Sequence, residues 1–172
     1  MKKEIKKITL SSLFSALIVV LILIGTFFDL LDITVAAVCA LAVYILLIEA
    51  GLKYSFLVYL TSGVLCLIFS PMSSATLYFI GFFGYYPIIK TKLRKLKKHL
   101  RKLICLLLFN TSMIALMLLF KAVFALQNEP IYMYVLLLVT SNVFYFCFDY
   151  LLDVFTVIYF KKIRNKIKFL NR

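Results

Sequence analysis

Two long apolar blocks, residues 8–89 and 103–160, constrain the fold of this chain more than any other feature. Only short polar turns interrupt them, and each block is longer than any helix or strand in the core of a soluble domain. Apolar residues make up 65% of the chain and charged residues 16%, whereas about a quarter of a soluble domain is charged. The polar residues could not cover such a core, so we predict an integral membrane protein.

Backbone groups inside hydrocarbon must find their hydrogen-bond partners within the chain, and a helix satisfies them locally. We therefore predict an all-α polytopic protein in which residues 1–172 form a single transmembrane domain. A span needs roughly 20 apolar residues, and the polar turns divide the chain into about six helices: residues 8–28, 33–48, 52–69, 75–89, 103–126 and 131–158. The fourth of these segments is short and contains Gly81, Gly84 and Pro87, so five spans or a re-entrant fourth segment are alternatives.

The distribution of basic residues predicts the orientation of these segments. If the N-terminus is inside, nineteen of the twenty lysine and arginine residues lie on the cytoplasmic side, and only Lys121 lies in the outer half. Positively charged residues resist translocation and are retained inside. We therefore predict a multi-pass protein of the cell (plasma) membrane with both termini in the cytoplasm.

The basic segment, residues 90–102 with the sequence KTKLRKLKKHLRK, contributes strongly to the net charge of +13. Its leucines recur every three or four residues, which predicts an amphipathic helix on the inner membrane surface. Because this segment lies between two membrane segments, we expect it to bind anionic lipid headgroups and not nucleic acid.

The residue types that usually carry catalysis or bind metals are sparse. Cys39, Cys66, Cys105 and Cys147 lie far apart in apolar stretches, and His99 is the single histidine. No two of them have the spacing of a zinc site, and the chain has no HExxH, GxSxG or phosphate-binding loop. We therefore expect no catalytic residue, no metal site and no cofactor, and we predict that the protein is not an enzyme.

Two asparagines are predicted inside the membrane. Asn110 lies about 10 Å from the inner end of its segment, and Asn142 about 16 Å from the outer end of the next, at 1.5 Å per residue. The two depths are similar, so the side chains could form hydrogen bonds between neighbouring helices, as is common in membrane proteins. A polar patch in a solute cavity is the functional alternative.

A second set of polar residues is predicted near the outer face. Asp29, Asp32 and Glu129 could shape the mouth of a ligand site, or they could be solvated turn residues. Tyr78 lies close to the same face, where tyrosine is frequent in the interfacial aromatic belt. A small-molecule ligand, if bound here, is not identified by the sequence.

The first segment, ITLSSLFSALIVVLILIG (residues 8–25), resembles the first helix of the substrate-binding S components of energy-coupling factor (ECF) transporters. In those helices, small residues four positions apart contact the transmembrane coupling subunit. The matching positions are Ser12 and Ala16, flanked by Ser11 and Ser15, with serine in place of the first alanine. The resemblance implies a bundle of six helices that binds a small solute and associates with a coupling subunit and an ATPase.

Two further stretches resemble known families. Residues 49–69, EAGLKYSFLVYLTSGVLCLIF, are similar to the glycine-marked turn and third helix of the S components, and residues 82–90, FFGYYPIIK, resemble small uncharacterised membrane proteins of Gram-positive bacteria. The rod-shape-determining protein MreD has a similar size and segment count, and it binds cell-wall elongation proteins without transporting a solute. The alternative implied function is therefore a scaffold or assembly subunit of a cell-envelope complex.

The predicted orientation can be tested by cysteine labelling of intact cells. In a cysteine-free variant, single cysteines at Pro71 and Asn128 should react with an impermeant reagent, because both turns are predicted outside. A cysteine at Lys97 should react only after lysis. Labelling of the Lys97 position from outside would reverse the orientation.

Overall fold

The computed structural model describes residues 2–28, 32–71, 73–124 and 131–163. Every regular element in these ranges is helical, which confirms the predicted all-α fold. The seven α-helices are α1 (Lys2–Phe27), α2 (Asp32–Glu49), α3 (Leu52–Phe69), α4 (Ser74–Tyr78), α5 (Tyr86–Lys92), α6 (Lys98–Phe124) and α7 (Ile131–Ile158).

Five of these helices, namely α1, α2, α3, α6 and α7, are long and apolar enough to cross a membrane. Large apolar side chains on them are exposed, including Leu13 at 63% and Leu136 at 62%, as expected of surfaces that face lipid. The chain is therefore a multi-pass, integral membrane protein with a helical bundle. It divides into two units, Met1–Gln127 with α1 to α6, and Asn128–Arg172 with α7 and a π-helical turn at Tyr159–Ile163.

The core of the first unit lies where α1 packs against α2 and α3. Ile18 and Ile22 of α1 are fully buried, as are Ala36, Ala40 and Val43 of α2. The three α2 residues recur at intervals of four and three, so they share one face of the helix. Two alanines on that face allow the helix axes to approach closely.

The turn between α2 and α3 is closed by backbone hydrogen bonds. The amide of Ala50 donates to the carbonyl of Leu46 over 2.7 Å, and Gly51 adopts a φ of 98°. This left-handed conformation is readily available only to glycine. The carbonyl of Gly51 then accepts from the amide and the hydroxyl of Ser55, over 3.2 and 3.1 Å, and so begins α3.

The predicted fourth helix, residues 75–89, is not one continuous membrane-spanning helix in the structure. Residues 74–92 form a broken segment, in which α4 and α5 are separated by a π-helical turn at Phe79–Phe83. The amide of Gly84 donates to the carbonyl of Phe79, five residues back, over 2.7 Å. Pro87 has no amide hydrogen, so it cannot continue the ladder of helical hydrogen bonds. Glycine and proline thus explain why five described helices, and not six, are long enough to span.

Other elements of the first unit stabilise this break. The hydroxyl of Tyr59 on α3 donates to the carbonyl of Ile80 over 2.9 Å. The ring of Phe82 packs against those of Tyr86 and Phe109, each with centroids 4.7 Å apart. All three rings are buried, so the break lies in an aromatic core that excludes lipid from the irregular backbone.

The basic segment is not a single amphipathic helix. Helix α5 ends at Lys92, a 3₁₀ turn covers Leu93–Lys95, and Leu96 is extended before α6 begins. Lysines and arginines three or four positions apart repel one another along a helix, which disfavours a continuous helix here. Leu96 and Leu100 are exposed, at 38% and 47%.

Substitution of Gly84 by alanine should destabilise the protein. A Cβ atom there would lie 2.5 Å from Cδ2 of Tyr59 and 2.9 Å from the carbonyl oxygen of Phe79. We expect a loss of about 1–3 kcal/mol, the usual range for overpacking, measured as a lower midpoint of thermal unfolding in detergent. At Gly63 the nearest atom, in the side chain of Ile80, is 3.4 Å from the added Cβ, so Gly63→Ala is the control. An unchanged midpoint for Gly84→Ala would contradict the tight packing at the break.

Candidate functional site

A groove opens between α1 and α3 on the surface of the first unit. Its volume is about 370 Å³, and mainly small and apolar side chains line it: Ile8, Ser11, Ser12, Ser15 and Ala16 from α1, and Tyr54, Leu57, Val58, Thr61 and Leu65 from α3. The structure thus brings together all four residues that the sequence suggested for partner binding, Ser11, Ser12, Ser15 and Ala16. Ser12 and Ala16 are exposed and one helical turn apart.

A hydrogen bond between helices lies at the floor of the groove. The hydroxyls of Ser15 and Thr61 are 3.1 Å apart, and Ser15 is buried. Because Thr61 also donates to the carbonyl of Val58 over 3.2 Å, Ser15 is the donor in this pair. This contact holds α1 and α3 together beneath an otherwise open surface.

Ser11 and Ser12 offer little hydrogen-bonding capacity to a molecule bound in the groove. The hydroxyl of Ser11 donates to the carbonyl of Lys7 over 2.7 Å, and that of Ser12 to the carbonyl of Ile8 over 3.1 Å. Their protons are therefore engaged within α1. What they present to the groove is small size, and this is the property that lets a second helix approach closely in lipid.

A small polar arrangement lies beside one end of the groove. The hydroxyl of Tyr54 donates to the carboxylate of Glu4, and the ammonium of Lys7 lies 5.6 Å from the centre of the Tyr54 ring. Glu4 is exposed, so this contact contributes little to stability. It does place charges where α1 enters the predicted inner membrane interface.

A polar cluster lies at the opposite end of α1. We use this name for Thr26, Asp32, Ser70, Ser73, Ser74 and Thr76. The hydroxyls of Thr26 and Ser73 are 2.9 Å apart, and those of Ser70 and Thr76 are 3.0 Å apart. Ser74 donates to Oδ2 of Asp32. The other oxygen, Oδ1, is buried and has no hydrogen-bond partner among the described residues.

Of the remaining residues suggested for ligand binding, Tyr78 lies close enough to Asp32 for an electrostatic interaction. The ring of Tyr78 packs against that of Phe120, with centroids 6.2 Å apart. The amide group of Asn110 donates to the carbonyl of Leu106 over 3.0 Å, and that of Asn142 to the carbonyl of Leu138 over 2.8 Å. Asn110 belongs to the first unit and Asn142 to the second, so their predicted pairing stays a prediction. Asp29 and Glu129 lie outside the described residues.

Cysteine and histidine form no metal site in the described part of the chain, where no three His, Cys, Asp or Glu side chains come together. Cys39, Cys66 and Cys105 are buried, Cys147 is exposed, and all four are free thiols.

No protein-family model, curated protein or solved structure matches this chain. The chain is an all-helical integral membrane protein with five helices, in its described part, that can span a bilayer.

Several residues of these sites were not singled out by the sequence. Thr61 lies in the stretch 49–69 that resembles the S components but was not itself suggested as a site residue, because its pairing with Ser15 depends on the register between two helices. Ser73 and Ser74 lie in the polar turn between the third and fourth predicted segments. Their separation from Asp32 by about forty positions in sequence hides their proximity.

The hydrogen bond between Ser15 and Thr61 should contribute measurably to stability. We expect Ser15→Ala and Thr61→Val to couple by about 0.6 kcal/mol in a double-mutant cycle, the average for hydrogen bonds between membrane helices, and by about 1.7 kcal/mol at most. Unfolding in detergent micelles would measure it. Thr111 is exposed and donates to the carbonyl of Leu107 in its own helix, so Thr111→Val paired with Ser15→Ala should show no coupling. Purely additive effects for Ser15 and Thr61 would contradict this contact.

Proposed function

We propose that this protein is an S-component-like membrane subunit that binds a small solute from the outer side and associates with a transporter module. The ATPase of such a module is a separate protein. One observation supports the proposal most: the small residues that match the S-component motif line a single open groove, with Ser12 and Ala16 exposed in it.

The groove has the properties of a docking surface for a helix. From Ile8 to Ala16 it runs for about 12 Å along α1 at 1.5 Å per residue, which is about two turns of a partner helix. Close approach of two helices in lipid depends on small side chains and van der Waals contact. The hydroxyls of Ser11 and Ser12 are already satisfied within α1, so the groove offers little to orient a polar solute.

The polar cluster suits the solute better. It lies at the end of α1 and the beginning of α2, whereas the groove lies along the first half of α1. Partner docking and solute binding would thus use opposite ends of one helix. With the predicted orientation, the cluster faces the outside and the groove begins at the inner interface.

A scaffold or assembly subunit of a cell-envelope complex, like MreD, is the second candidate. The groove favours it as much as the first, because docking of a partner helix requires no solute. Native mass spectrometry of the gently solubilised protein distinguishes the two. A small molecule bound together with a coupling subunit and ATPase supports the transporter function, and envelope-assembly proteins without a ligand support the scaffold.

We further propose that the basic segment binds anionic lipid headgroups. Arg94, Lys95 and Lys97 are exposed around its break. Each basic side chain near an anionic surface contributes about 1 kcal/mol.

Filling the groove should weaken association with the partner subunit. We expect Ser12→Leu combined with Ala16→Leu to lower the yield of the co-purified complex by about tenfold, equivalent to about 1.4 kcal/mol, while membrane insertion is unchanged. Both side chains are exposed, so larger residues fit without disturbing the core of the protein itself.

Leu17→Phe is the matched control, since Leu17 is on the same helix, is 46% exposed and does not line the groove. Its complex yield should equal that of the wild type. If the double leucine variant also retains full yield, the groove is not the docking surface.

A further inference from the structure

The polar cluster has many hydrogen-bond acceptors and few donors left to offer. Thr26 has one hydroxyl proton and directs it to the carbonyl of Ile22 over 2.9 Å, so Ser73 must donate to Thr26. The hydroxyl of Ser74 donates to Asp32. The oxygens keep free lone pairs while these protons are engaged.

The same accounting holds for the second hydroxyl pair. Ser70 donates to the carbonyl of Cys66 over 3.2 Å, so Thr76 donates to Ser70. Thr76 is fully buried. A ligand of this cluster must therefore supply hydrogen-bond donors or positive charge.

The carboxylate of Asp32 gives the independent reason to expect such a ligand. Less than 1 Å² of its Oδ1 atom is exposed, and no described group donates a hydrogen bond to it. A buried charged oxygen without a partner is costly, and more so close to lipid. Asp32 begins α2, where the helix dipole favours a negatively charged side chain. The carboxylate of Asp32 thus has one hydrogen-bonded oxygen, Oδ2, and one buried oxygen, Oδ1, without a partner among the described residues.

We propose that the polar cluster binds a sodium ion through Oδ1 of Asp32, with hydroxyl oxygens such as that of Ser74 as further ligands. Carboxylate and hydroxyl oxygens are hard ligands that suit hard cations and not zinc or copper. One carboxylate balances one positive charge. A divalent site usually has more carboxylates, and the described residues contain no group of three acidic, histidine or cysteine side chains. A bare sodium ion is also smaller than a water molecule, which suits an oxygen that has almost no exposed surface.

This site is independent of the groove. Sodium binding concerns the isolated protein, and partner docking concerns a complex, so either can fail without the other. If solute binding also occurs at the cluster, the cation would neutralise Asp32 beside it.

Thermal unfolding of the purified full-length protein in detergent tests the proposal. Sodium chloride is varied at constant ionic strength against choline chloride, with a parallel series in potassium chloride. A ligand that binds the folded state alone raises the melting temperature. We expect a rise that saturates with sodium and is absent with choline. A response that is equal in all three salts, or no response, overturns the proposal.

Two variants and one control locate the site. Asp32→Asn keeps the shape of the side chain and should abolish the response to sodium. Ser74→Ala removes one oxygen and should raise the sodium concentration at half-saturation by about tenfold, equivalent to about 1.4 kcal/mol, and it serves also if Asp32→Asn does not fold. Glu49→Gln removes a carboxylate from the other end of α2 and should leave the response unchanged. A wild-type response in Ser74→Ala, or a full response in Asp32→Asn, contradicts the assignment.

Discussion

A backbone amide or carbonyl that lacks a hydrogen-bond partner in hydrocarbon costs several kcal/mol. The long helices of this protein satisfy that constraint within themselves. The broken segment does not, and other hydrogen bonds compensate. The hydroxyl of Tyr59 donates to the carbonyl of Ile80, and the amide of Gly84 donates to the carbonyl of Phe79. The Tyr59 ring lies so close to this backbone that a Cβ atom at position 84 would be 2.5 Å from its Cδ2 atom, which favours glycine there. The irregular backbone is tolerated because an aromatic core covers it.

Helix α1 connects the two candidate sites. On its first half, small side chains leave a groove above the hydrogen bond between Ser15 and Thr61. At its other end, Thr26 takes part in the polar cluster with Ser73. Serine and threonine contribute different properties to the groove and to the polar cluster. In the groove they contribute small size, because their protons are engaged, and in the cluster they contribute oxygen atoms.

The candidate sites were only partly accessible to sequence reasoning. The spacing of Ser12 and Ala16 is a local property of one helix, so a pattern of small residues could reveal their shared face. The polar cluster was seen only through Asp32, since hydroxyls in a turn have no periodicity. The basic segment was wrongly expected to be one helix. Its leucine spacing was helical, but repulsion between neighbouring lysines and arginines opposes that pattern.

The sequence by itself determined that this chain is an all-helical membrane protein, because the partition of apolar residues into lipid depends on composition and segment length alone. It also predicted the weak fourth segment, because glycine and proline act on the backbone locally. Only the tertiary structure decided that Thr61 meets Ser15 and that Ser74 meets Asp32. Such contacts depend on how helices pack and in which register, and packing energies arise from many side chains that lie far apart in the sequence.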